Sequence, residues 1–192
     1  MKKIYLIIAA SLIAAVSYAQ VELKPTIGIN ITDVSKDPDT GKAKGQAGFQ
    51  FGASVLIGEK FYVDPGIFWV KKSTKFVEQG ASSEDLKLDI SGIRIPVAVG
   101  YHLLGNEESL AALRILGGGS AFFVTSVDAE GADKSDFSSP TWGVFAGAGL
   151  DIWFLFADVK YEWSLTDVAS VTDFDFGKHK GFFTNVGVRI KF

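Results

Sequence analysis

The sequence predicts an all-β chain, an export signal followed by one closed, eight-stranded antiparallel up-and-down barrel that spans a membrane. Three observations carry that expectation. Residues alternate apolar and polar with period two, the connections alternate long and short, and after Gln20 no apolar run approaches the ~20 residues that a membrane helix needs. The composition agrees, with 21 glycines and 16 phenylalanines among 192 residues and a single methionine.

The first element is the leader. Lys2-Lys3, the apolar run Ile4 to Val16 and Ser17-Tyr18-Ala19 before Gln20 form a basic n-region, an h-region and small residues at the cleavage positions. The expected cut lies between Ala19 and Gln20, giving a leader of residues 1–19 and a barrel domain of 20–192. The run is short for a permanent anchor, and without a cysteine no lipidation site exists.

The strands follow in order. Leu23, Ile27, Ile29 and Ile31 oppose Lys24, Thr26, Gly28 and Asn30; Phe49, Phe51, Ala53, Val55 and Ile57 oppose Gln50, Gly52 and Ser54. Phe61 to Val70 is less regular. Ile93, Ile95, Val97, Val99 and Tyr101 then oppose Arg94, Pro96, Ala98, Gly100 and His102. Leu110 to Val127 is again irregular, whereas Trp142, Val144, Ala146, Ala148, Leu150 and Ile152 oppose Gly143, Phe145, Gly147, Gly149 and Asp151. Ala157, Val159, Tyr161 and Trp163 oppose Asp158, Lys160 and Glu162, and in the last strand Phe182, Thr184, Val186, Val188, Ile190 and Phe192 oppose Phe183, Asn185, Gly187, Arg189 and Lys191. Each strand is expected to run roughly 9 to 12 residues, enough to cross hydrocarbon at a tilt.

Alternation alone does not say which face is the core, because a soluble sandwich or lipocalin-like barrel shows the same pattern inverted. The loops decide. Asp33 to Gly45, Lys72 to Asp85, Asp128 to Ser139 and Thr166 to Lys180 are long and polar; Gly58 to Lys60, Leu104 to Ser109 and the turn at Trp153 to Leu155 are short. Long loops on one rim and short turns with both chain ends on the other are the arrangement of an outer-membrane barrel. Trp69, Tyr101, Trp142, Trp153, Trp163 and Phe192 fall near strand ends, as interfacial rings do. One parity break stands out: Leu86, Leu88 and Ile90 are even while Ile93 onward is odd, so a bulge at Ser91-Gly92 is expected to keep them all outward. Pro65 and Pro96 sit awkwardly in a barrel without free edges, Pro65 beside a bend at Gly66.

Losing Lys2 and Lys3 with the leader takes 19 basic residues to 17, against 22 acidic ones, a formal charge of −5. A nucleic-acid partner is therefore not expected. Arg94, Arg114, Asp151, Asp158, Lys160, Glu162, Arg189 and Lys191 share the inward parity. In a barrel this narrow they are expected to pair across the lumen and fill it, because an isolated charge there would be costly.

Ile93 to Pro96-Val97 running on to Tyr101-His102-Leu103, the triple glycine Gly117-Gly118-Gly119 and the alternating glycines from Gly143 to Gly149 resemble the PorT-like outer-membrane β-barrel family. The Lys160-Tyr161-Glu162 strand and the ending Gly187-Val188-Arg189-Ile190-Lys191-Phe192 are similar to it too. The resemblance covers the mature chain and implies a bacterial outer-membrane location, with Val188, Ile190 and Phe192 as the signal read by the outer-membrane insertion machinery. It implies no catalytic residues; its namesake is similar to components of a protein-secretion apparatus.

Catalytic and metal chemistry is sparse. Asp37-Pro38-Asp39-Thr40-Gly41 has a proline inside and Gly48 where a calcium loop needs Glu, so it reads as a turn. Gly117 to Ser120 lacks the lysine of a phosphate loop. A lipid hydrolase would have to draw Ser170 or Thr172, His179 and Asp173 or Asp175 from one loop, a weaker reading than none. No cofactor or metal is expected. The expected role is structural or binding, exerted through long outer loops by a monomer among outer-membrane lipid. A secretion-complex subunit, a narrow porin-like channel and a soluble periplasmic lipocalin-like barrel are the alternatives.

Overall fold

The computed structural model describes residues 20–34, 41–78, 86–105, 109–128, 139–166, 170–171, 174–175 and 179–192. The leader, the Asp37 turn and most of the long loops lie outside them, and of the residues considered for hydrolysis only backbone is described, at Ser170, Asp175 and His179.

The described strands are β1 (Val21–Val34), β2 (Gly41–Gly58), β3 (Phe61–Glu78), β4 (Leu86–Leu104), β5 (Ala111–Asp128), β6 (Thr141–Ile152) and β7 (Leu155–Ser164). A closing strand follows, His179–Val188 continued as Ile190–Lys191 past an interruption at Arg189. Each strand pairs antiparallel with the next, and the closing strand pairs with β1, from Val34↔His179 through Thr26↔Gly187 to Glu22↔Lys191. The sheet therefore has no open edge, which is how a β structure satisfies every backbone group in lipid. A two-residue ladder, Ser170–Val171 with Phe174–Asp175, stands outside the barrel.

Turn chemistry explains the short rim. β6 and β7 are joined by Trp153-Phe154, with Trp153 at φ 55°, and the other two short turns use Gly58 and Gly105 at positive φ, where glycine carries no Cβ penalty.

The faces are inverted relative to a soluble barrel. Ile27 is 64% exposed and Val159 49%, whereas Arg189 is 5% exposed and Lys160 6%. The strict alternation of β6, from buried Thr141 to exposed Ile152, repeats the rule along one strand. Aromatic rings mark two belts on the outside. Phe61 stacks on Tyr101 with centroids 4.6 Å apart, and Trp153 meets Phe154 edge-on at 4.7 Å, both at the short-turn rim. Phe49 and Phe51 flank Trp69, and Tyr161 packs on Trp163 and Phe182, toward the loop rim. At about 3.3 Å per residue and about 40° tilt, the path from Trp142 to Trp153 rises roughly 28 Å, close to the ~25 Å apolar band of such barrels.

Two sequence expectations fail. Strands β2 to β5 are 18, 18, 19 and 18 residues long, well beyond the expected span. Their hairpins continue into the segments taken for loops, as Gly41↔Glu78 and Phe76↔Leu86 pair. Ladder hydrogen bonds need no apolar face, so these extensions carry no hydropathy signature. The second failure concerns Ile90. A register shift does fall at Ser91/Gly92, but the additional residue is Thr125 on β5, since Ser91↔Ser126 is followed by Gly92↔Val124. β4 keeps its phase, and Ile90 is buried inside with Phe68, Val70, Phe122, Val124 and Phe183.

Candidate functional site in the barrel lumen

The lumen divides into a polar half near the short turns and an apolar half near the loops. In the polar half, Glu22 on β1 receives Arg189 in a two-point contact, Nε to Oε2 at 2.8 Å and Nη2 to Oε1 at 2.5 Å. Such parallel bonds fix a guanidinium against a carboxylate more tightly than a single contact can. Arg189 also lies 3.5 Å from Asp151, and Asp151 lies 2.8 Å from Arg114. Arg114 continues to Asp158 at 2.8 Å and to the Tyr62 hydroxyl at 3.3 Å. Asp158 is shared with Lys160 at 3.5 Å and Lys24 at 4.0 Å, and Lys24 reaches Asp64 at 3.3 Å. The buried Lys24 ammonium stands 4.2 Å from the Phe156 ring centroid, which offers it a π face. His102 completes the cluster, its Nδ1 2.7 Å from the Glu59 carbonyl and its Nε2 3.8 Å from Asp151.

Local backbone choices make room for this. Gly149 lies against Arg114, where an added Cβ would come within 2.9 Å of Nη2 and would strike the Asp158 carboxylate. Gly100 leaves the space that the Tyr62 ring fills.

Midway along the barrel, Arg94 on β4 pairs with Glu162 on β7, to which Ser120 also donates at 2.9 Å. The guanidinium is held between rings, 4.6 Å from Phe183 and 5.4 Å from Phe145. Gln50 donates to Asn185 close by, and Asn30 donates to the Lys71 carbonyl at 3.1 Å. Beyond them the Ile90 cluster fills the loop-side half.

Of the residues singled out from sequence, Arg94, Arg114, Asp151, Asp158, Lys160, Glu162 and Arg189 all lie within this interior, in two groups rather than one. Lys191 stands apart at the rim, its side chain 44% exposed and 3.9 Å from Glu22. Val188, Ile190 and Phe192 keep the outward parity of the closing strand, Phe192 being fully on the surface. Glu22, Lys24, Asp64 and Tyr62 were missed. Lys24 sits on the polar face of β1 in plain view, whereas Asp64 precedes Pro65-Gly66 in a strand whose alternation is blurred. With them included, the paired cations Lys24, Arg94, Arg114, Lys160 and Arg189 match the anions Glu22, Asp64, Asp151, Asp158 and Glu162 one for one. Near-neutrality is what a desolvated interior demands. Among the described residues no cluster of three metal-ligating side chains occurs.

The model of the family described as "Outer membrane protein beta-barrel domain" matches residues 17–170. The crystal structure of the outer membrane protein OprG from Pseudomonas aeruginosa is similar with a TM-score of 0.55 and 16% identity, over 91% of this chain and 96% of that one. Ail, the attachment invasion locus protein of Yersinia pestis, is similar with a TM-score of 0.50 and 16% identity, over 89% and 99%. At such identities the likeness is one of fold. No curated protein sequence matches the chain.

Proposed function

The chain belongs to the outer membrane protein β-barrel family, and from that premise we propose that it is a monomeric, non-catalytic component of the bacterial outer membrane, whose barrel is a closed anchor and whose long loops do its structural or binding work. The observation that carries the reading is the filled lumen. An eight-stranded barrel is just wide enough for its own side chains. Here the polar half is filled by mutually neutralising ion pairs and the other half by packed rings and aliphatic chains, so side chains occupy its axis. A solute path would need these groups to separate, leaving buried charges without partners, each costing several kcal/mol.

Planar-bilayer recording of the purified, heat-modifiable protein tests this: the expected trace is free of unitary steps, and regular conductance would establish the porin-like alternative. Within the family our placement is the PorT-like group, on the Ile93 to His102 stretch and the Gly187 to Phe192 ending. Stoichiometric co-purification of secretion subunits after mild extraction is the corresponding test. We also propose that the leader is removed after Ala19 and that Val188, Ile190 and Phe192 engage the insertion machinery; N-terminal sequencing and a Phe192 deletion assayed for assembly check each.

A further inference from the structure

Beyond the aromatic belt at the loop rim, the outer wall of β2 to β4 turns from apolar to basic. On β3 the outward face runs from Ile67 through Trp69 to Lys71, and Lys71 pairs with Asp89 of β4 at 2.7 Å on that face. Farther out the register gathers lysines. Lys75 is the ladder partner of both Lys44 on β2 and Lys87 on β4, so the backbone sets three lysines in one row across three adjacent strands. An irregularity between Gln46 and Phe49 advances β2 by one residue, and this is what brings Lys44, with Lys42 two positions beyond it, onto the outward face. Residues opposite one another share a face and successive residues alternate, so the row lies on the face of Trp69. By the same parity Glu78 falls on the other face. Among the described outer ends of β2 to β5, the acidic residues on this face are Asp89, engaged by Lys71, and its ladder partner Asp128, against five lysines.

From this juxtaposition we infer that the outer wall of β2 to β4 is a docking surface for acidic glycolipid of the surrounding leaflet, whose sugar-borne phosphates or carboxylates meet the row Lys44, Lys75 and Lys87. Like charges directly opposite in a ladder are unfavourable, and an anion shared among them turns that repulsion into attraction. At ~4.8 Å between strands the row is about 10 Å wide, the scale of one or two phosphates. Height selects the kind of lipid. Lys75 lies six residues beyond Trp69, a rise of about 15 Å at about 3.3 Å per residue and about 40° tilt, whereas a phospholipid headgroup layer is only about 5–8 Å deep. Sugars that carry the anions outward from the headgroup plane reach that height. Direction selects a lipid over a soluble polyanion, because the row continues the face that Trp69, Phe49 and Phe51 present sideways to the membrane rather than the mouth of the barrel. The inference rests on the outer-membrane placement and goes beyond the loops, assigning a role to the strand wall beneath them. A failure of the closed-anchor reading appears as conductance, and a failure of this inference as unchanged binding.

The experiment titrates fluorescently labelled rough-form lipopolysaccharide, dispersed in zwitterionic detergent, with the full-length protein and follows anisotropy. Saturable binding weakened by added salt is expected, and dephosphorylated lipopolysaccharide should bind at least tenfold more weakly. Lys44→Gln/Lys75→Gln/Lys87→Gln should lose at least tenfold in affinity, the corresponding triple arginine variant should retain it, and Lys60→Gln at the opposite rim should leave it unchanged. The heat-modifiable shift shows which variants fold. Should the triple glutamine variant fail to fold, Lys75→Gln alone, at the centre of the row, is the second test and should weaken binding at least threefold. Unchanged affinity in the folded glutamine variants overturns the inference. So does competition by a sulfated oligosaccharide without acyl chains at concentrations as low as those of unlabelled lipopolysaccharide, which would make the partner a soluble polyanion.

Discussion

Arg94 on β4 and Glu162 on β7 meet across the lumen although β5 and β6 separate their strands on one side and four strands do so on the other. Arg94 Nε lies 3.1 Å from Oε2, the same oxygen that Ser120 reaches. The pair is a strut between opposite walls, and the rings of Phe145 and Phe183 flank its guanidinium. Arg94→Met should therefore cost about 3–5 kcal/mol, the range for a buried carboxylate left without its cation. The double variant Arg94→Met/Glu162→Leu should recover most of that loss, because removing both charges removes the desolvation penalty as well. Urea unfolding in phospholipid vesicles, followed by the electrophoretic shift, measures both; a double variant no better than the single would show that the strut acts by shape alone.

Arg114 is the hub of the polar half, within 2.8 Å of both Asp151 and Asp158. Its loss and the loss of one partner are not equivalent. In Asp151→Asn the Arg114 guanidinium keeps Asp158 and Tyr62 and Arg189 keeps Glu22, so the expected cost is about 1–2 kcal/mol. In Arg114→Leu two carboxylates face each other without their shared cation, and the expected cost is about 3–5 kcal/mol. Equal costs in the same unfolding assay would contradict the hub.

Placement in the bilayer predicts a depth-dependent response to charge on the outer face. Val159 lies midway along β7, opposite Ala148, and Ile152 lies at the short-turn end of β6. Val159→Arg should cost about 2–4 kcal/mol and Ile152→Arg about 0–1 kcal/mol when folding is measured in vesicles. In a barrel surrounded by water both substitutions would be neutral, so the difference between them reports lipid contact directly.

The sequence carried the strand count, the outward faces and the sorting of loops because each depends on a period of two and on turn residues, which are local. It did not carry Ile90. A rule of apolar out and polar in holds while the lumen is polar, and it fails where the lumen itself is filled by Phe68, Phe122 and Phe183. The ion pairs were legible as a set facing inward but not as partners. Which residue meets which depends on the stagger of strands around the barrel, so Arg94 finds Glu162 while its ladder neighbours are Phe68 and Phe122. Pro65 and Gly66 break the alternation beside Asp64 and so mask its inward parity.

The closed lumen consists of two seals in series, and this makes a prediction about conductance sharper than closure alone. The polar seal is held by Arg114, Asp151, Arg189 and Glu22, two cations and two anions. Replacing all four by alanine leaves Asp158 with Lys24 and Lys160 and Lys24 with Asp64, and opens volume at the short-turn half, yet Phe122 and Phe183 still fill the axis above. That variant should remain silent in planar bilayers. Phe122→Ala/Phe183→Ala should also remain silent, because the ion pairs below are intact. Joining the two sets should give small, regular steps, since about eight strands enclose only a narrow passage once their inward side chains are short. Each variant must first show the electrophoretic shift of the folded barrel. Conductance from either set alone would mean that a single layer closes the barrel and that the other merely packs.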